Sequence, residues 1–280
     1  MRVRSVDAAR VLGLTLVLLV ARAAAAPPTH PAQPAAAVAR TDPNSLAAHA
    51  QLLEKRRAGR IDVYFLGDSI TRRWGTADEQ YHEFYANWVS NFRGWNAADF
   101  GWGGDTTWNI LWRIEHGELD AVNPRVIVLL AGTNDLTADS SAGMSASEII
   151  AHTVAGLTAV VRACESKAPR ATLILTSITP RTDHAELLPL IARINTQLAR
   201  LADGRRVRYL DLTGRLLDPH GALRPGMLAP DGLHFAVGGY AAWADALRPS
   251  LRQLLGPRAS VDAAPPPSRD PGAHFPSAVH

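Results

Sequence analysis

The 280-residue chain contains a single cysteine, Cys164, so neither a disulfide framework nor a cysteine-rich zinc site can hold it together. No second thiol or neighbouring cation marks Cys164 as reactive, and it reads as a buried helix residue. His-Glu-x-x-His is absent, as is the Gly-Lys-Ser/Thr of a phosphate loop, and no repeat period runs through the sequence. These gaps remove the commonest zinc-hydrolase and nucleotide-loop signatures and all solenoid architectures. What remains is a chain with 47% hydrophobic and 20% charged residues, the balance of a globular protein able to bury a core.

Excess positive charge is also missing once the N-terminus is set aside. The net charge is +3, but Arg2, Arg4, Arg10, Arg22 and Arg40 lie within the first 40 residues against one acid, Asp7. The rest is close to balance, so no nucleic-acid footprint is present. Arg2 and Arg4 precede an apolar block over 11–20 and then small residues at Ala21 and Ala23 to Ala26, the layout of a secretory signal peptide. About ten apolar residues give roughly 15 Å of helix against a hydrocarbon layer of about 30 Å, so no stable membrane span is expected after cleavage. No cysteine follows the block, which excludes a bacterial lipoprotein anchor, and the two arginines are not adjacent as a twin-arginine signal requires. The expected organisation is a signal peptide over 1–25, an Ala/Pro-rich linker over 26–41, one catalytic-size domain over 42–256, and a disordered Pro-rich tail over 257–280. The protein is therefore expected to be secreted or periplasmic.

Within 42–256, runs rich in Val, Ile and Leu at 61–66, 126–131, 173–178 and 207–212, with a shorter one at 97–100, read as strands buried on both faces. Amphipathic stretches alternate with them. Asp42-Pro43 opens one helix that Gly59 closes, Ser145 and Glu148 form a capping box for another, and 186–202 and 240–255 complete the set. This alternation predicts one α/β domain with a mainly parallel open sheet, whose chemistry lies beyond the carboxyl ends of the strands.

Four motifs fall at such ends. Gly67-Asp68-Ser69 places a hydroxyl above the first strand, suited to a nucleophile, although Asp68 or Ser69 could equally just cap a helix. Thr71 stands where a Gly-x-Ser-x-Gly elbow has its second glycine. Gly101-Trp102-Gly103-Gly104-Asp105 exposes backbone N–H groups, and a dinucleotide turn is its rival reading, disfavoured by Thr106 at the third glycine position. Gly132-Thr133-Asn134-Asp135 offers a side-chain amide able to donate to an oxyanion, or an ordinary Asx-turn. Asp231-Gly232-Leu233-His234 could fold a carboxylate onto imidazole Nδ1 and leave Nε2 as a base, or be a surface loop and a cap. Metal hydrolysis through Asp68, Asp105 and Asp135 competes, but these aspartates suit turn caps better; His82, His116, His152, His184 and His220 are further bases in principle. Trp74, Tyr81, Tyr85, Trp88, Trp95, Trp102 and Trp108 could form a sugar platform or pack inside the protein.

Taken together, in this order and spacing, the four motifs resemble the SGNH (GDSL-type) hydrolase family. The stretch 96–119, with Gly103-Gly104-Asp105-Thr106-Thr107, Leu111-Trp112-Arg113 and Gly117-Glu118-Leu119, is similar to the catalytic subunits of the platelet-activating-factor acetylhydrolase Ib group. Ile70 stands for the usual Leu of Gly-Asp-Ser-Leu, and Asp135 for the second Asn of the narrower group. The resemblance implies a flavodoxin-like three-layer α/β/α sandwich with a five-stranded sheet. It implies Ser69 as nucleophile, His234 as base and Asp231 as its orienter, with the Ser69 and Gly104 N–H groups and the Asn134 amide as oxyanion hole. Ile70, Thr133 and Leu233 then fall where the acetylhydrolases bound a small acyl pocket. The expected protein is a secreted serine esterase of short-chain, acetyl, esters, acting on a small-molecule or glycan substrate without metal or organic cofactor; a non-catalytic carbohydrate- or surface-binding module with the same fold is the alternative. Its activity is expected to rise as His234 loses its proton, around pH 6.5 for an unperturbed imidazole.

Overall fold

A computed structural model of the chain describes residues 36–274. Five strands, β1 (Val63–Gly67), β2 (Ala97–Gly101), β3 (Val126–Leu130), β4 (Thr172–Thr176) and β5 (Val207–Leu210), form one sheet in the order β2-β1-β3-β4-β5. All pairings are parallel, so the expected flavodoxin-like order and sheet are found. Side chains alternate between two cores, as a strand's two-residue period requires. Tyr64 and Leu66 join one core with Phe100, Ile127, Leu129, Leu173 and Leu175, covered by α1 (Pro43–Lys55), α4 (Thr107–Arg113), α5 (Ala146–Lys167) and α6 (Leu188–Leu198). Val63 and Phe65 join the other with Val126, Val128 and Leu130, covered by α2 (Ser69–Gly75), α3 (His82–Phe92), α7 (Thr213–Leu216) and α8 (Val237–Leu255). The result is three layers. Asp42 caps α1 by accepting the Ser45 N–H, and Ser145 and Glu148 close the foreseen box on α5.

The aromatic residues divide as core packing demands. Trp74 is fully buried against Phe65, Phe92, Trp88, Tyr240 and Trp243, and Trp88, Trp95, Trp102 and Trp108 are also buried, while Tyr81 and Tyr85 are half-buried. Cys164 lies inside, its thiol pushed up to about 12 by burial.

The two linkers differ from expectation. Residues 257–274 do not trail into solvent: Ala263 O accepts the Arg60 N–H, the Asp262 carboxylate accepts the Gly94 N–H, and Ser268 O accepts the Ala77 N–H. Pro265 is buried, and Lys55 Nζ donates to Ser268 Oγ. A proline-rich strand has carbonyls with no internal partners and little chain entropy left to lose, so it binds where turns near the sheet edge leave N–H groups open. At the other end, Val38 exchanges hydrogen bonds with Trp108 O and the Asn109 amide, which ties the last residues of the expected linker to α4. The expected signal peptide and residues 275–280 lie outside the described residues. Among the described residues no helix is long and apolar enough to cross a membrane.

Candidate active site

The nucleophile position is built by close packing at the end of β1. Gly67 lies beside Gly101 of β2 on one side and Leu130 of β3 on the other. A Cβ on Gly67 would come within 2.3 Å of Leu130 O and 2.2 Å of Thr71 Oγ1, so only glycine fits there. Asp68 then caps α2 by accepting the Ile70 N–H at 2.9 Å, and Ser69 becomes the first residue of that helix. Since β2 and β3 flank β1, the turns that follow them arrive on either side of Ser69.

After β2, Gly103 passes beside Ser69, where a Cβ on it would make an ordinary contact 3.9 Å from Ser69 Cβ. Gly104 takes a left-handed φ of 78°, which glycine adopts without strain. Arg40 Nη1 donates to Gly103 O at 2.8 Å from behind this turn. Because the peptide is trans, holding that carbonyl toward Arg40 turns the Gly104 N–H the opposite way. After β3, Asn134 Nδ2 donates to Asp105 O at 2.9 Å, clipping the two turns together and leaving the amide its second N–H. Asp105 beneath them is fully buried and paired with Arg113 Nε at 2.7 Å. Asp135 accepts the N–H and the hydroxyl of Thr107, which pins the start of α4 to the same loop. Burial holds Asp68 up to about 7, an effect the charges of Asp105 and Asp135 reinforce, and this reduces the negative charge under Ser69 at neutral pH.

The base comes from the loop before α8. Asp231 Oδ1 accepts the N–H groups of Leu233 and His234, and its Oδ2 accepts His234 Nδ1–H at 2.8 Å. With the proton fixed on Nδ1, Nε2 is an acceptor, and it lies 2.8 Å from Ser69 Oγ. Gly232 permits the fold-back: its φ is 70°, and a Cβ there would meet Asp183 N and Thr182 Oγ1 at 2.7 Å. Burial opposes the charge on Asp231, but the two backbone N–H groups and the imidazole hold its carboxyl well below the usual carboxylate range. His234 titrates below its ordinary 6.5, because burial and the charge of Arg73 outweigh the attraction of Asp231 and Asp183. A hydroxyl, an acceptor imidazole and a buttressing carboxylate in line can move a proton off the hydroxyl as it attacks a carbonyl.

Residues 65–242 match the model of the GDSL-like lipase/acylhydrolase family. The chain belongs to that family. This acylhydrolase is a carboxylic ester hydrolase, 33% identical over 201 residues to the platelet-activating factor acetylhydrolase IB subunit alpha2 of Rattus norvegicus, a match that covers 69% of this chain and 77% of the relative. Its fold is shared with a GDSL-like lipase of Bacteroides thetaiotaomicron, with a TM-score of 0.55 and 19% identity over 74% of this chain and 98% of the other. It is also shared with a mutant acetyl-xylooligosaccharide esterase of Geobacillus, with a TM-score of 0.51 and 17% identity over 72% and 98%.

The acylhydrolase brings Ser69, Gly104, Asn134, Asp231 and His234 to the same end of the sheet. The three residues expected to bound an acyl pocket are placed differently from one another. Ile70 is fully buried in the core that includes Trp74 and Phe235, Thr133 is 2% exposed, and Leu233 is half-buried, so Ile70 offers no surface to an acyl group. The reason is helical: one residue into α2, the side chain turns from the strand end toward the core beneath. Of the other histidines weighed as bases, four are engaged elsewhere, His82 with Glu79 O, His116 with Trp112 O, His184 with Glu186 and His152 against the Trp108 ring, and the backbone N–H of His220 donates to Asp218. Three arginines at the site were not foreseen. Arg40 lies in the expected linker, Arg73 Nη1 stands 3.2 Å from Asp231 Oδ2, and buried Arg181 donates to Thr133 Oγ1 at 3.2 Å. Their partners are 63, 158 and 48 residues away in sequence, and no local pattern encodes such pairings.

Proposed function

We propose that this acylhydrolase is an exported serine esterase that hydrolyses short-chain, acetyl, esters through an acyl-enzyme. The observation that carries the reading is the line from Ser69 Oγ to His234 Nε2 to Asp231, with 2.8 Å at each step. Ser69 Oγ attacks the ester carbonyl as His234 Nε2 takes its proton, giving a tetrahedral oxyanion. We assign the Ser69 and Gly104 N–H groups and the second N–H of Asn134 as the donors to that charge. Collapse expels the alcohol, which leaves with the proton from His234. Water then adds to the acyl-enzyme with the same base, carboxylate departs, and Ser69 is regenerated. The acetyl preference rests on the 33% identity to an acetylhydrolase subunit. Export rests on the N-terminal sequence, with Arg2 and Arg4 before the apolar 11–20 block.

A series of p-nitrophenyl acetate, butyrate and octanoate together with acetylated xylan tests the acyl preference. kcat/KM is expected to fall steadily from acetate to octanoate, and a maximum at octanoate rules out a short-acyl enzyme. A fluorophosphonate probe is expected to label Ser69 alone.

Asn134→Ala removes one oxyanion donor. It is expected to lower kcat roughly 10²- to 10³-fold with little change in KM, because the donor acts on charge that develops only in the transition state. An effect on KM alone assigns Asn134 to substrate binding instead.

A further inference from the structure

Arg73 is one helical turn beyond Ser69 on α2, with its guanidinium carbon 5.3 Å from the centre of the Tyr81 ring. Its Nη1 stands 3.2 Å from Asp231 Oδ2, the same oxygen that accepts His234 Nδ1–H. We propose that Arg73 is a positioning residue of the triad: clamped between the Tyr81 ring and Asp231, it holds the carboxylate against the imidazole and sets the electrostatic field at the base. This rests on the assignment of Ser69, His234 and Asp231 as the catalytic line.

Two effects follow from that placement. Asp231 has two backbone N–H groups on Oδ1 and only the imidazole and Arg73 on Oδ2, so Arg73 supplies the second donor that keeps Oδ2 from rotating toward solvent. The stacked aromatic face restricts the guanidinium, so the bond costs less side-chain entropy than a free surface pair. Second, the positive charge opposes protonation of the imidazole. Four groups surround His234: Ser69 and Arg73 from α2, Asp231 from its own loop, and Asp183 from the loop after β4, the last itself bound by Arg181. Arg73 is the cation of that set, and burial and its charge together hold His234 below 6.5 against both carboxylates. The triad therefore stays competent in mildly acidic solution.

The test compares wild type, Arg73→Gln and Arg73→Lys in kcat/KM for p-nitrophenyl acetate and in the rate of Ser69 labelling by a fluorophosphonate, each from pH 4.5 to 8.5 at low salt. Glutamine keeps much of the stem over Tyr81 while removing the charge. It is expected to move the acid limb up by about half a pH unit or more in both readouts, the scale of one charge lost from beside a half-buried ring. Lysine is expected to bring the limb back toward wild type, and 0.5 M salt to narrow the difference between the variants. A loss of rate equal at every pH, with the limb unmoved, overturns the proposal, since that is what a merely structural side chain gives. Should a variant be poorly folded, the fraction labelled still reports its limb. Absence of labelling in wild type removes the triad assignment itself and the proposal with it; labelling with an unshifted limb removes the proposal alone.

Discussion

Ser69→Ala abolishes hydrolysis of p-nitrophenyl acetate, with kcat falling on the order of 10⁶-fold, the scale seen when a serine hydrolase loses its nucleophile. The fold is expected to survive, for a local reason. Asp68, not Ser69, caps α2, and its bond to the Ile70 N–H is untouched. The lost hydroxyl leaves His234 Nε2 without a protein partner, and since Ser69 is only half-buried, water can take its place; a cost of about 1 kcal/mol or less is the expected scale. Equal melting temperatures for wild type and variant, with fluorophosphonate labelling lost, are the outcome that isolates chemistry from stability. Turnover retained by the pure variant at more than about one thousandth of wild type places the nucleophile elsewhere.

The fold was legible in the sequence because it depends on local patterns, and Ser69, Asp231 and His234 were legible as short motifs whose meeting across 165 residues only the family resemblance implied. Each strand is a run of β-type apolar residues, and Gly67, Gly104 and Gly232 mark turns where chain geometry admits little else. Asp231 and His234 are three residues apart, so their hydrogen bond is a property of one loop. What was not legible depends on distant pairing. Arg73 reads as a surface helix residue until the loop before α8 is folded over it, and Arg40 as part of a linker until it meets Gly103. The C-terminal segment fails differently: its proline content is the composition of a solvated tail, but composition cannot register the open N–H groups of Arg60, Gly94 and Ala77 that receive it. Ile70 shows the limit of carrying a role by position. Its neighbour Ser69 faces the site, and the helix turns the next side chain into the core.

Asp231→Asn is the sharper probe of the mechanism, because it changes the proton inventory while hardly changing shape. In the wild type both carboxylate oxygens accept: Oδ1 from the Leu233 and His234 N–H groups, Oδ2 from His234 Nδ1–H. An asparagine has one acceptor oxygen and one donor NH₂. The two backbone N–H groups cannot face a donor, so the amide oxygen takes the Oδ1 position and the NH₂ falls opposite the imidazole. There it favours the tautomer with a bare Nδ1 and a proton on Nε2, which can no longer accept from Ser69. Arg73 strengthens the preference for an acceptor at Oδ2, so the variant also strands that guanidinium against a donor. A loss of roughly 10⁴-fold in kcat is expected, with substrate affinity nearly unchanged. The rate should recover partly at high pH, where a deprotonated nucleophile needs no base, and the ¹⁵N shifts of the His234 ring should report the switched tautomer. A fall of less than about tenfold, with the wild-type tautomer retained, shows that Asp231 holds the loop and that the imidazole is oriented by other means.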